Sequence, residues 1–354
     1  MNMIEYGYIP DGEPSRDGEI PARVTAVYKD RYEIVCSFGT GQATLKKSAY
    51  FTGEEPFPTT GDFVMINWEA DGDSRIVRTQ ERRTFFARLD PSSSGHWEQL
   101  VAANFDYVFI MQSLNHDFNP RRLERYLTLA WQSGAQPVIV LTKADLSEDT
   151  QRLLAEASAV ALGTDVIAVS AKTGYGMEQL QGYLKPGKTI VFLGSSGVGK
   201  SSLVNALAGG ELMPVNGIRE EDSKGRHTTT HRQLLLLPCG AMIIDTPGMR
   251  ELGMWDVTEG LGETFTDVEQ FFTQCRFSDC RHQNEPGCRV KAALENGELS
   301  PERWSSYLKL KKEARYSASR MVYLKDQQKK AKSRARTEKQ KRKNSRSEER
   351  RVGK

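Results

Sequence analysis

Gly194-Ser195-Ser196-Gly197-Val198-Gly199-Lys200-Ser201 satisfies the pattern G-x-x-x-x-G-K-[ST] at every fixed position. The run before it, Thr189-Ile190-Val191-Phe192-Leu193, is short, apolar and rich in β-branched residues, as a buried parallel strand is. The run after it, Ser202-Leu203-Val204-Asn205-Ala206-Leu207, predicts a helix with Leu203, Ala206 and Leu207 on one face. Strand, glycine loop and helix together make a phosphate cradle. Backbone N–H groups wrap the anion, and the helix start adds partial positive charge. Lys200 is placed to bridge a β- and a γ-phosphate, and the Ser201 hydroxyl, followed by Ser202, to ligate Mg²⁺. A glycine-rich turn that binds nothing has no need for the glycines, the lysine and the hydroxyl to fall into place together.

The rest of the composition sets bounds. A chain of 354 residues suggests two or three domains. Its 38% apolar content supports ordinary cores, and no run approaches the roughly 20 apolar residues of a membrane span. Met1 to Gly12 lacks the basic-then-apolar pattern of a signal peptide, so a cytoplasmic location is expected. Five cysteines in such a chain point to metal or free thiols before disulfides. The net charge of +3 is unevenly spread. Lys325 to Lys354 holds fourteen Lys/Arg against four Asp/Glu, a balance of +10, which leaves −7 for the remainder. A basic tail on an acidic body fits a polyanionic partner, and equally a solvated, disordered terminus.

In order along the chain, residues 1–19 are polar and read as mobile. From 20 to 80 the texture is β. Arg23–Tyr28, Tyr32–Ser37, Gly41–Lys47, Asp62–Asn67 and Ser74–Thr79 are short runs separated by turns, which suits a small closed barrel of the OB type. Such a barrel binds RNA or serves only for packing. Residues 81–99 lack periodicity and read as a linker. From about 100 to 256, strands alternate with helices, which predicts a parallel doubly wound sheet. The strands are Tyr107–Met111, Pro137–Leu141, Val166–Val169, Lys188–Leu193, Gln233–Leu237 and Met242–Ile244. The helices are Pro120–Ser133, Asp149–Leu162 and Met177–Leu184. Residues 257–325 are helical again, with an amphipathic Thr258–Thr273 and helices at Val290–Asn296 and Pro301–Lys325, and 326–354 is the basic tail.

Four further motifs sit at strand ends. Asp245-Thr246-Pro247-Gly248 follows an apolar strand, so Asp245 can hold a Mg²⁺ hydration shell and the Gly248 N–H can meet a γ-phosphate. Gly225-Arg226-His227-Thr228-Thr229-Thr230 offers a threonine, Thr229 before Thr228, able to ligate Mg²⁺ only when a γ-phosphate is present. Thr142-Lys143-Ala144-Asp145 places a carboxylate where guanine presents N1–H and its 2-amino group, donors that adenine lacks there. The Lys143 stem would cover the base. Ser170-Ala171-Lys172 would give a backbone N–H to guanine O6. Together these predict GTP and GDP as ligands. The base motifs precede the phosphate loop, the reverse of ordinary small GTPases. That order is a circular permutation, tolerated because the binding edge is made of strand-end loops.

Cys275, Cys280, His282 and Cys288 give C-x₄-C-x-H-x₅-C, the donor set of a closed structural zinc site. A disulfide pair or a catalytic zinc would be the other readings. Cys36 and Cys239 read as packing residues. This order of motifs, the Gly-x-His-Thr-Thr-Thr segment and the cysteine cluster resemble the RsgA (YjeQ) family of circularly permuted GTPases over roughly residues 20–325. The resemblance implies a three-part fold: an N-terminal OB barrel, a central permuted α/β P-loop GTPase domain and a C-terminal helical zinc domain. It also implies a role in late maturation of the small ribosomal subunit through its rRNA, with Mg²⁺, one structural Zn²⁺ and a monomeric chain. Thr142 stands where many GTPases carry Asn. Met249 stands where many carry a water-positioning Gln, and chemistry and resemblance both point to His227 as its substitute. His227 either accepts a hydrogen bond from the attacking water or only shapes its loop. An ATP-dependent kinase, or an RNA-binding module that uses GTP as a switching ligand, are the competing functions.

Overall fold

The computed structural model describes residues 2–10, 18–29, 31–50, 56–89, 98–115, 118–213, 232–245 and 257–317. Five strands close the expected barrel: β1 (Glu19–Val27), β2 (Tyr32–Cys36), β3 (Gly39–Leu45), β4 (Phe63–Asn67) and β5 (Ser74–Thr79). Their order is β1-β2-β3-β5-β4, and β4 returns to pair with β1, so the barrel has no free edge. Alternation puts Ala22, Val24, Ile34, Cys36, Ala43, Val64, Ile66 and Ile76 inside. A short helix, α1 (Lys47–Tyr50), follows β3.

The stretch read as a linker contains strand among its described residues. Strand β6 (Phe85–Leu89) pairs antiparallel with β7 (Glu98–Ala103). The reason is tertiary, since Phe86 and Phe105 stack in the core with centroids 4.9 Å apart. The N-terminus is likewise less free than its composition suggests. Met3–Tyr6 forms a 3₁₀ turn capped by Asn2, Met3 is buried, and the Tyr6 carbonyl accepts from Arg23.

The α/β unit has β8 (Tyr107–Ser113), β9 (Gln136–Thr142), β10 (Asp165–Ala168) and β11 (Thr189–Gly194), with β12 (Gln233–Leu236) and β13 (Met242–Asp245). Their order is β10-β9-β8-β11-β13-β12. All neighbours are parallel except β12, which pairs antiparallel with β13 through a tight turn. The expectation of a wholly parallel sheet is thus corrected at its edge. That edge residue pairs onward, Gln233 with Ala26 of β1, so barrel and α/β sheet are continuous. Helices α2 (Pro120–Gln132) and α3 (Thr150–Val160) cover the sheet, each with an Asn or Asp side chain capping its first turn. Met177–Gly182 winds as a 3₁₀ helix rather than an α-helix; only six residues long, it enters from a left-handed Gly176 with no side-chain cap. In α4 (Lys200–Ala208) the buried pair is Leu203 and Val204, and Ala206 faces out.

The predicted helix Thr258–Thr273 is broken. It becomes α5 (Thr258–Thr264), α6 (Thr266–Glu269) and a 3₁₀ turn at Phe272–Gln274. Phe265 leaves helical geometry at φ −116°, ψ 35°, which sinks its ring beneath Arg303 and against Tyr307. Helix α7 (Arg289–Glu295) and a helix over 301–317, α8, complete the described chain. Residues 318–325, read as its continuation, lie outside the described residues. Cys36 is fully buried, but Cys239, also read as a packing residue, sits exposed in the β12–β13 turn.

Candidate functional site

The phosphate loop leaves the C-terminal end of β11 and enters α4, as its sequence requires. Gly197 (φ 73°) and Gly199 (φ 100°) are left-handed, a conformation costly for any residue with a Cβ, and Gly199 caps α4 directly before Lys200. Val198 between them is buried and anchors the loop in the core. Lys200 Nζ lies 2.5 Å from Asp245 Oδ1 at the end of β13. The lysine that would meet phosphate is therefore paired with the carboxylate expected near the metal. Ser201 and Ser202 occupy the first turn of α4, half-buried. Ser195 and Ser196 lie in the loop between Gly194 and Gly197.

The base motifs converge on the same edge. Thr142 ends β9, Lys143 takes a left-handed conformation at φ 59°, and Ala144–Leu146 forms a 3₁₀ turn that presents Asp145 to solvent. The Ala144 N–H donates to Val169 O at 3.1 Å, which ties this turn to the end of β10. The Ser170 hydroxyl donates to Asp145 Oδ1 at 2.6 Å and orients the carboxylate. Thr142, Lys143, Asp145, Ala171, Lys172, Gly199 and Ser202 line one pocket of about 230 Å³. Residues some 60 positions apart in sequence thus share a cavity of a size for a purine.

Three residues of this pocket were not among the predicted site residues. Leu146 is an exposed leucine directly after Asp145, Val169 follows β10, and Leu203 lines the pocket from α4. An exposed apolar side chain beside a recognition carboxylate is the signal that could have found Leu146. His227, Thr228, Thr229, Gly248 and Met249 lie outside the described residues, so neither the threonine loop nor Asp-x-x-Gly beyond Asp245 is placed.

The second cluster forms in the loop between Phe272–Gln274 and α7. The ligand atoms of Cys275, Cys280, His282 and Cys288 all lie within 4.8 Å of one another. His282 Nδ1 is 3.6 Å from the sulfurs of both Cys275 and Cys288. Ordinary zinc–sulfur and zinc–nitrogen bonds around a tetrahedron require separations of about 3.5–3.8 Å, and the two His282–sulfur distances match. His282 is left-handed at φ 61°, and its ring is clamped between Phe272 (4.4 Å, stacked) and Trp304 (5.9 Å, edge-on). Burial, with the Lys311 charge, lowers its pKa and keeps the imidazole neutral, as a ligand must be. Glu285 closes the loop by accepting from the N–H groups of Arg281, Gln283 and Asn284 at 2.9–3.0 Å. Those bonds hold its carboxyl down at about 2.

Buried polar bonds join this module to the α/β unit. Arg303 of α8 donates to Glu124 of α2 at 2.7 Å and to both oxygens of Asp267, at 2.8 and 3.0 Å. Ser306 donates to the other Glu124 oxygen. At Gly260 of α5 an added Cβ would fall 2.1 Å from Thr128 O, so only glycine lets α5 approach α2 this closely.

A family model described as RsgA GTPase matches residues 79–255. The chain is 48% identical over 321 residues to the small ribosomal subunit biogenesis GTPase RsgA 2 of Listeria monocytogenes serotype 4b (strain F2365), covering 90% of this chain and 91% of the relative. The solved structure of YjeQ from Thermotoga maritima is similar, with a TM-score of 0.61 and 27% identity over 82% of this chain and 97% of that one. That of YloQ, described as a circularly permuted GTPase, gives 0.59 and 25% over 89% and 98%. No helix among the described residues is long and apolar enough to cross a membrane. With the barrel, the strand-end pocket and the Cys/His cluster in one chain, and that identity over nine-tenths of its length, the protein belongs to the RsgA GTPase family.

Proposed function

We propose that the protein hydrolyses GTP to GDP and phosphate in the cytoplasm, as a step in maturation of the small ribosomal subunit, to whose rRNA it binds. The observation that carries this reading is the shared pocket, in which Asp145, oriented by Ser170, faces the end of the phosphate loop. Asp145 selects guanine through N1–H and the 2-amino group, and Ala171 and Lys172 flank O6. Gly194 to Ser201 wrap the phosphates, and Lys200 exchanges Asp245 for the β,γ-bridge when nucleotide binds. Ser201, Thr229 and the Asp245 hydration shell would hold magnesium, which when bound neutralises the charge that develops on the phosphate oxygens. His227 orients the attacking water. Cys275, Cys280, His282 and Cys288 hold one zinc ion that fastens the C-terminal module.

Met249 favours a second reading, in which the same site binds GTP as a switch with little intrinsic turnover. The deciding experiment is GTP hydrolysis with and without purified small subunits, with ATP as control. Strong stimulation by small subunits, with ATP inert, supports the proposal. Tight GTP binding with no turnover in either condition supports the switch. His227→Ala should lower kcat at unchanged nucleotide affinity; lost affinity instead would assign His227 to loop shape.

A further inference from the structure

Arg232 directly precedes β12, and the structure grips it at both ends. Its guanidinium donates to Leu100 O (3.1 Å) and to Gln99 Oε1 (3.3 Å) on β7. Its own carbonyl accepts from the Thr60 hydroxyl at 3.2 Å, in the segment that leads into β4 of the barrel. Thr60 is fully buried, and its carbonyl accepts from the Ala103 N–H at the end of β7 (3.0 Å), so the two anchors brace each other. Burial, with the Arg88 charge, pushes the guanidinium down to about 10, and it stays ionised at neutral pH. Hydrogen bonds from an ionised donor are the stronger kind. The next residue shows what is being held. Gln233 opens β12 and pairs with Asp245, the last residue of β13. On the other side of β13, the β11 register ends at Val191 with Ile244. Among the described residues, Gln233 is thus the one ladder partner of Asp245. A strand end with a one-sided ladder frays unless something ties it.

We propose that Arg232 is a positioning residue for Asp245: by pinning the start of β12 to β7 and to the barrel, it holds the strand pairing that keeps this carboxylate beside Lys200 at the phosphate edge. Arg232 does not line the pocket and acts through Gln233. Its anchors lie outside the α/β sheet, so the barrel and the β6–β7 pair help to set the metal side of the site rather than only pack beside it. Gln233 also pairs with Ala26 of β1, which places a second barrel contact at the same point. The acceptor on β7 is itself fixed, because Gln99 Oε1 receives a second guanidinium donor, Arg88 Nε at 3.0 Å. This inference rests on the reading in which Asp245 holds the hydration shell of magnesium bound with the nucleotide.

The test compares the full-length wild type with Arg232→Met and Arg232→Lys in two readouts. One is affinity for a fluorescent GDP, measured in Mg²⁺ and again in EDTA. The other is hydrogen exchange of β12 and the end of β13. Arg232→Met keeps the apolar stem and removes both donors. It should bind GDP about 5-fold more weakly in Mg²⁺, the equivalent of one net hydrogen bond, with affinity in EDTA at the wild-type value. Exchange at Gln233 and Asp245 should quicken, while β11 keeps its protection. Arg232→Lys keeps a charge that reaches one acceptor, and should fall between the two. Wild-type affinity of Arg232→Met in Mg²⁺ would mean that the tether does nothing, and equal weakening in Mg²⁺ and EDTA would assign Arg232 to general support of the fold; either overturns the inference. Gln99→Leu is the second variant, on the far side of the contact, and should give a smaller loss of the same Mg²⁺-dependent kind. It decides alone if Arg232→Met does not fold, and wild-type binding there overturns the inference too. Wild-type protein whose GDP affinity is indifferent to Mg²⁺ would instead refute the magnesium reading on which the inference stands.

Discussion

Two buried arginines hold the molecule's two seams, and they are satisfied in opposite ways. Arg23 of β1 is fully inaccessible where the barrel meets the α/β sheet. It donates to Gly61 O (3.2 Å), Tyr6 O (2.6 Å), Thr189 Oγ1 (3.0 Å), Asn104 O (2.7 Å) and Met242 Sδ (3.3 Å), and among the described residues no carboxylate touches it. Burial pushes its guanidinium down to about 9, against support from Asp106 across the core. At neutral pH it stays ionised, and the fork of donors finds three carbonyls and a hydroxyl from four separate segments. For Arg303, at the seam with the Cys/His module, burial also acts to lower the pKa. There the hydrogen bonds and charges of Asp267 and Glu124 win and raise it. One seam is built of neutral acceptors around a lone cation, the other of one cation between two carboxylates. Each seam is fragile in its own way. Removing Arg23 orphans several buried acceptors at once, whereas removing Arg303 leaves two carboxylates without their shared cation.

Arg23→Ala should give the largest loss, on the order of 3–5 kcal/mol. A single cooperative denaturant transition at a lower midpoint would show that barrel and α/β sheet unfold together. Arg23→Lys should not rescue it, because one ammonium cannot reach four divergent acceptors. Next, Glu124→Ala should cost about 3 kcal/mol, since Arg303 keeps only Asp267 and the Thr264 carbonyl and Ser306 loses its acceptor. A stability equal to wild type would mean that the triad is dispensable. Arg303→Lys keeps the charge but loses the two-pronged contact to Asp267, and about 1–2 kcal/mol is expected by the same measurement. The smallest effect sharpens the contrast by pH. Glu285 has its folded pKa depressed, so its contribution is full above the unfolded value near 4.5 and is lost as pH falls toward about 2. Glu285→Ala should flatten that acid limb of a thermal-melt profile in the Cys/His module and leave the Arg23 seam untouched.

Metal removal separates the seams further. Chelation of the full chain should loosen residues 257–317 in hydrogen exchange, the Arg303 contacts included, while protection in β1, β11 and β13 persists. Loss of protection in all three regions together would mean that the seams are not independent.

The reading of the chain divides along the same lines. The five barrel strands, the β8-to-β11 series and α2 to α4 were legible because each carries its own periodicity, cap or turn chemistry, as with Asn119 before Pro120. The phosphate loop was legible because its glycines serve backbone angles that almost no other residue adopts. The Cys/His cluster was legible because four soft donors sit within fourteen residues. The hairpin β6–β7 was not, since Phe86 is a core residue only by virtue of Phe105 stacking on it. Nor was the break at Phe265, where local periodicity continued and tertiary burial overrode it. The pairing of Lys200 with Asp245 joins residues 45 apart, and no pattern announces it.

Sequence alone marked the glycine loop between β11 and α4 and the four soft donors of the Cys/His cluster. These depend on residue identity at short range, where spacing dictates geometry. Only the tertiary structure decided which polar groups face each other across the seams. Arg23 and Arg303 look ordinary in a sequence, because an arginine in a strand or helix has no local signature of its partner. Their roles come from acceptors up to 219 positions away, brought within hydrogen-bond reach by burial that the whole core enforces.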